Sequence, residues 1–580
     1  MNLKNKIKNS AILGVSALMM TGCASDYLDT PYHGVTTSSD IAKTTENARA
    51  TMLTLAAGMG RYWAIDGDPQ LGPAQALNQG EVGMGYYFGE VPGQDCYVNF
   101  IYDVAPSWTI FYNQDPGMIN SGGYVWQTPM WMYCYANIAQ ANELLYYIDG
   151  AEGSEEMREY TKAQTYTLRA HFYYRLLQMY GPRWEDSNNG EKLCSVVMRT
   201  GIDEPQDKAV SPMNDILDLI YSDLDNAIDC FSRGGTYDRT QTYEPDLNIA
   251  YGVYARVAAL KHDWEKCREM ANKARQGYRP ATTAEAMSGY SSFNQHEWMW
   301  SPSFNDVDNA IYGNWSTFMC CNTYAAINDR YTNSINITLY RQIPETDARR
   351  EWWLTVDKLS GVNMNMAYSS RGVNSVNQQF TAAALVRAAR TWLDDHQTKY
   401  GIPGEKAYSG TGSGVDCTSV IRDGAQVKFW ANGLIGSPTR ANVPYMRATE
   451  MYLLEAEACA ELGLTSEAQA LLQEVNRPHN PEYTCTASGQ ALIDEVRLYR
   501  RVELWGEGFN WYDLKRWNLP LKREAWVEGD TKSGNIPEAL GVEVPATRNN
   551  GWRYGIPNGE RSYNMLITSS IPGEVVDGKN

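Results

Sequence analysis

The 580 residues carry 50 Lys plus Arg against 68 Asp plus Glu, a formal charge of −18. Phosphate neutralisation needs clustered cations that this chain lacks, so no nucleic-acid partner is expected. The aromatic side chains are mostly 39 Tyr and 18 Trp against 11 Phe, rings with a polar handle that suit half-wet surfaces such as interfaces or sugar platforms.

In chain order, Lys4, Lys6 and Lys8 precede an apolar run over residues 11–20. That run is too short to cross a hydrocarbon core of about 30 Å as a helix, and residues 1–22 read as a signal peptide. It ends in Met20-Thr21-Gly22-Cys23, which resembles the lipobox of bacterial lipoproteins. Cys23 is the expected lipidation site, residues 23–38 form a polar tether, and the membrane is reached through the N-terminal lipid only. The ten other cysteines have irregular spacing and no CxxC, which favours buried free thiols over a disulfide framework. Six scattered His without HExxH spacing argue against a catalytic zinc site.

A first helical stretch runs over residues 39–59. Residues 60–128 change in kind, rich in Gly, Pro, Asn, Tyr and Trp without sustained period, and read as long loops of the sort that usually carry function. From Trp131 helices dominate. In "WMYCYANIAQANELLYYI" the residues Tyr135, Ile138, Ala141 and Leu145 recur at helical spacing. "EYTKAQTYTLRAHFYYRLLQMYG" stops at Gly181-Pro182, and "SPMNDILDLIYSDLDNAIDCF" offers a Ser cap with Pro at the first helical position.

Two later helix pairs share a spacing. Ala255, Cys267 and Ala274 in one, and Ala456, Ala468 and Val475 in the other, fall at intervals of twelve and seven, which resembles the tetratricopeptide (TPR) pattern of closely approaching helices. Between the pairs lies a Gly-, Asn- and aromatic-rich block, about 281–440, read as a loop-rich insertion. Within it "HEWMW" alternates like a short buried strand around Trp298 and Trp300.

No GxSxG elbow, P-loop or dinucleotide fingerprint is present, and no enzymatic activity or cofactor is expected. Pairs such as Asp66 and Asp68 are too common to decide whether calcium supports the loops. The residue types suit binding instead: a ring for the C–H face of a sugar and fixed polar groups for its hydroxyls. Trp63, Tyr86, Tyr87, Tyr97, Trp108, Tyr112, Tyr312 and Trp315 lie in the loop-like blocks beside such groups. The ligand-binding candidates are Arg61, Trp63, Asp66, Tyr97, Trp108, Asn113, Tyr312, Asn314 and Trp315.

The motifs "WMYCYANIAQAN", "LRAHFYYRLLQMYG", "DARR", "YMRATEMYLLEAEA" and "RRVELWGEGFNWYDLKRW" follow the lipobox in one order. That ordered set resembles the SusD/RagB family of nutrient-binding outer-membrane lipoproteins. The resemblance implies a mainly α, SusD-like fold, with TPR-like helix pairs as scaffold and a large irregular loop-rich ligand-binding region. It also implies a surface-facing lipid anchor in the outer membrane, an oligosaccharide ligand and a SusC-like TonB-dependent transporter as partner. One integrated domain would follow the tether: an N-terminal helical region over 39–280, the insertion over 281–440 and a C-terminal helical region over 441–580. In "EGFN" the chain departs from the family, which usually carries Arg shortly after its EG pair; Phe509 and Asn510 stand there.

The fourteen-residue stretch "LWGEGFNWYDLKRW" holds five aromatic rings, yet it coincides with the family's shared signature and is expected to be scaffold. Gly506 and Gly508 mark a bend, Asp513 and Arg516 are spaced for an intrahelical ion pair, and Glu503 and Glu507 each need a cation from elsewhere or open solvent. Two other readings keep the fold. One makes the cargo peptide; the other makes the chain a transporter lid with little affinity of its own.

Overall fold

In the computed structural model residues 41–60, 80–97, 119–122, 127–235, 237–302, 319–321, 333–359, 383–403, 423–430, 444–527, 530, 532–536, 541–548 and 552–572 are described. Helix α1, Thr45–Gly58, starts where the extended Thr44 accepts the amide of Asn47. Helix α2 spans Gln127–Tyr147. Helix α3, Glu155–Tyr180, is capped by Ser154 and stops at Gly181, as the Gly-Pro pair predicts. The buried stripe of α2 is Cys134, Ile138, Ala141 and Leu144, continued by Ile148 just past its end. It is rotated from the stripe expected, so that Tyr135 and Leu145 flank the core.

Helix α4 is Met213–Arg233. Its N-cap is Pro212, one residue later than the Ser cap expected. The shift has a tertiary cause: Ser211 accepts from the Cys194 amide at 2.9 Å and donates its own to Val196 at 2.9 Å, holding 211–212 extended.

Helices α5, Leu247–Lys261, and α6, Trp264–Ala274, form the first TPR-like pair, joined through His262 at φ 58° and capped by Asp246 and Asp263. Helix α7 is Ala383–Tyr400. Helices α8, Ala448–Glu461, and α9, Thr465–Asn476, form the second pair. The six spacing residues, Ala255, Cys267, Ala274, Ala456, Ala468 and Val475, are all buried. Small residues there let α6 pack against α8, so pairs separated by the insertion stack as neighbours in one array. Arg256 on α5 closes the joint, donating to Glu450 on α8 at 2.6 and 2.7 Å with both side chains buried.

Helix α10, Gln490–Glu503, and helix α11, Asn510–Arg516, complete the frame. The fold is mainly α, with short strands confined to junctions. Strands β1 (Cys96–Tyr97), β3 (Ser334–Ile335), β5 (Ala425–Gln426) and β4 (Trp353–Leu354) make one antiparallel sheet in the order β1-β3-β5-β4. Strand β2 (Trp298–Trp300) pairs with β6 (Met446–Arg447), which ties the start of the insertion to its end. Trp298 and Trp300 are buried, as the alternation predicts.

Both loop-like blocks contain more helix than their composition suggests. Within 60–128 lies a π-helical segment, Met84–Glu90, so Tyr86 and Tyr87 belong to a helix and not to a loop. Within 281–440 lies α7, whose Ala389 and Leu393 pack with Leu354, Val356, Val427 and Trp430 in a small separate core. The nine cysteines among the described residues are buried free thiols. Cys23 and Cys417 lie outside the described residues. Among the described residues no helix is long and apolar enough to cross a membrane.

Candidate functional site

Two of the segments bearing the aromatic candidates leave the frame close together. Residues 61–79 depart from Gly60 and return at Gly80, and the Glu81 amide donates to the Met59 carbonyl at 2.9 Å, so both stems of that segment meet. Residues 303–318 depart from Pro302, and 431–443 return just before Tyr445. These stems coincide: a Cβ placed on Gly60 would lie 2.9 Å from the Tyr445 hydroxyl and 3.1 Å from Pro302 Cβ. Tyr445 also donates its amide to the Trp300 carbonyl at 2.7 Å. Segments more than 200 residues apart in sequence, one carrying Arg61, Trp63 and Asp66 and another carrying Tyr312, Asn314 and Trp315, are thus rooted at one point.

The structure places one of the ligand-binding candidates among its described residues. Tyr97 sits on β1 opposite Ser334 and is 1% exposed. Its ring is part of the core and offers no face to a ligand, because strand pairing draws it inward. Arg61, Trp63, Asp66, Trp108, Asn113, Tyr312, Asn314 and Trp315 lie outside the described residues, as does the lipidation candidate Cys23.

Beneath the stems is a buried charged network that sequence reading did not assemble. Arg447, on β6, donates to Glu297 at 2.6 Å, to Glu503 at 2.9 Å and to Glu507 at 2.7 Å. Arg349 of the "DARR" motif donates to Glu503 at 2.8 Å and to Asp347 at 2.6 Å. Lys428 donates to Glu507 at 2.7 Å and to the carbonyls of Glu503 and Trp505. These are the cations that Glu503 and Glu507 were expected to need. Burial alone would raise the Glu503 pKa, yet Arg447 and Arg349 outweigh it and hold the carboxyl well below its ordinary range. Burial drives Lys428 the other way, below the usual ammonium value. Glu90, at the end of the π-helical segment, is pushed up to about 8 by burial and accepts the Gly508 amide at 3.1 Å. Separate pairs follow the same rule on α8: Glu450, Glu455 and Glu457 punctuate an otherwise apolar helix, where an unpaired charge would be costly, and they pair with Arg256, Arg275 and Arg516.

The aromatic signature stretch is confirmed as frame. Leu504, Trp505, Trp511, Tyr512, Leu514 and Trp517 are all buried. Gly506 and Gly508 adopt φ of 80° and 89°, making the bend, and Asp513 pairs with Arg516 at 2.9 Å. Arg516 also grips Glu457 on α8 at 2.5 Å. A family model described as the SusD family matches residues 112–569. The chain belongs to the SusD family.

Solved SusD-like structures share the fold. One, a SusD-like carbohydrate-binding protein from Bacteroides vulgatus, superposes with a TM-score of 0.68 at 20% identity, covering 92% of this chain and 100% of that one. A laminarin-binding SusD-like protein superposes with a TM-score of 0.59 at 18% identity, over 92% of this chain and 100% of that one. A curated relative, SusD-like protein P38 of Formosa agariphila, is 29% identical over 100 residues, 16% of this chain and 20% of that protein. Just after the EG pair, Asn510 bonds the Asp95 carboxylate and accepts the Gln94 amide at 2.6 Å. Asp95 takes its cation from Arg501 at 2.6 Å, and Phe509 lies under the guanidinium of Arg500 at 5.1 Å.

Proposed function

We propose that this chain is a non-enzymatic, lipid-anchored protein of the cell surface that captures oligosaccharide and hands it to a SusC-like transporter in the outer membrane. The observation supporting a single capture site is the common root of the Trp63 and Trp315 segments at Gly60, Pro302 and Tyr445. Aromatic faces with neighbouring Arg, Asp and Asn side chains are the chemistry a pyranose needs, stacking for its C–H face and fixed partners for its hydroxyls. The solved relatives described as carbohydrate-binding and laminarin-binding support the same ligand class. The lipobox-like Cys23 supports the anchor, and the ordered family motifs support the transporter.

Affinity electrophoresis of the purified chain through gels containing different polysaccharides tests this reading. Retardation by at least one glycan is expected. Binding of peptides with no glycan retarded would move the cargo to peptide. Ligand binding only in the co-purified transporter complex would reduce the chain to a lid.

A further inference from the structure

A second candidate site lies on the helical frame, between α2 and residues 199–204. The loop is fixed from both ends. Arg199 donates to the carbonyls of Pro205 at 2.9 Å and Gln206 at 2.8 Å, and the Glu204 carboxylate accepts the amides of Thr200 and Gly201 at 2.6 and 2.7 Å. Its backbone is pinned to the frame as well: the Arg199 carbonyl accepts from the Tyr173 hydroxyl at 2.6 Å and from the Asn142 amide nitrogen at 3.0 Å. So much bracing leaves a cavity of about 340 Å³ open between loop and helix, within the range of about 300–1,000 Å³ that small-molecule sites occupy.

The lining has two characters. The Tyr135 ring, Ile138 and Ile202 supply an apolar side, while Gln140, Glu143 and Glu204 supply polar groups. Tyr135 is held by its hydroxyl, which donates to the Val197 carbonyl at 2.9 Å and accepts the Val197 amide at 2.8 Å, and its ring packs on Trp131 at 4.6 Å. Gln140 and Glu143 have no hydrogen-bond partner among the described residues. Charges around the cavity balance: Glu204 pairs with Lys208, and the lining carries one further carboxylate, Glu143, and one guanidinium, Arg199. An ion gains little there, and a neutral molecule with one apolar face and several hydroxyls gains most.

We infer that the Tyr135–Glu143–Gly201 cavity is a second, preformed subsite for a neutral pyranose, separate from the loop site. It rests on the oligosaccharide reading of the chain, and it would hold one or two sugar units of a longer ligand or a separate short one.

The test uses the mature chain and a panel of neutral methyl glycopyranosides, followed by NMR titration. Saturable binding is expected. Ala139→Trp, from an exposed position on the rim, should fill the cavity and weaken that binding more than about tenfold. Glu143→Ala should weaken it by about tenfold through loss of a charged hydrogen-bond acceptor. Glu482→Ala, at an exposed position that lines neither site, should leave it unchanged. No saturable binding of any glycoside, or binding that Ala139→Trp leaves intact, overturns the inference. Polysaccharide retardation by the unmodified chain alongside either of those results would preserve the capture reading while removing this one. Absence of polysaccharide retardation in the unmodified chain removes the oligosaccharide reading itself.

Discussion

Individual residues separate two uses of the same side-chain types. Tyr97→Ala empties a buried position and should cost about 3–5 kcal/mol in urea unfolding, whereas a Trp that contacts ligand can be removed with the melting temperature unchanged. Gly508 shows the backbone version of this contrast. At φ 89° its hydrogen faces Gly85, and an added Cβ would overlap that residue's backbone. Gly508→Ala should therefore lose about 1–2 kcal/mol to the left-handed geometry and about 1–3 kcal/mol more to overlap. Gly463→Ala, at φ 74° with nothing within 4 Å, should lose the first amount alone, and chemical denaturation of the two variants checks the difference. The buried carboxylates set the pH range of stability. Glu457 is buried, yet Arg516 holds it down to about 2. Its contribution is present above the ordinary carboxylate value and is lost as pH falls toward 2. Glu90 is raised to about 8, so its contribution is full below the ordinary value and fades as pH rises through about 8. Glu90→Gln keeps the acceptor for the Gly508 amide; it should match the parent in stability near about pH 4 and exceed it above about pH 8.

Elements explain why the helical frame was legible in the sequence and the insertion less so. The TPR-like spacing reports small residues that must be buried wherever two helices approach, and all six are. Ser154 and Gly181 bound α3 by local chemistry. The start of α4 moved because strand-like bonds to 194–196 overrode a local cap, a contact that no window around Ser211 contains. Helix α7 lies in a block whose Gly- and Asn-rich composition masks it, although Ala389, Leu393 and His396 recur at helical spacing before Gly401. The joint between α5 and α8 makes a testable unit. Arg256→Met strands a buried Glu450 and should cost about 3–5 kcal/mol, while the double variant Arg256→Met with Glu450→Leu should recover much of that loss. Urea denaturation of the two single variants and the double variant gives the coupling directly.

At the level of the whole molecule, we propose that ring-rich sequence serves two opposed purposes. Trp505, Trp511 and Trp517 stabilise a frame common to the SusD family, while the segments carrying Trp63 and Trp315 leave that frame from a single root. Composition could not separate them, since both stretches mix rings with charges. The family signature could, because an element shared by binders of different ligands does not select among them. The charged network was hidden for another reason: Arg447, Arg349 and Lys428 lie far apart in sequence, and only the fold brings them to Glu503 and Glu507. The proposed division of labour between the frame and the Trp63 and Trp315 segments is tested most directly by measuring calorimetric binding and melting temperature together, for the unmodified chain and for Trp63→Ala and Trp315→Ala, with a glycan that retards it. Loss of binding by at least about tenfold in both variants at an unchanged melting temperature is expected. Full binding in both, or a fall in melting temperature that accounts for the loss, would contradict it.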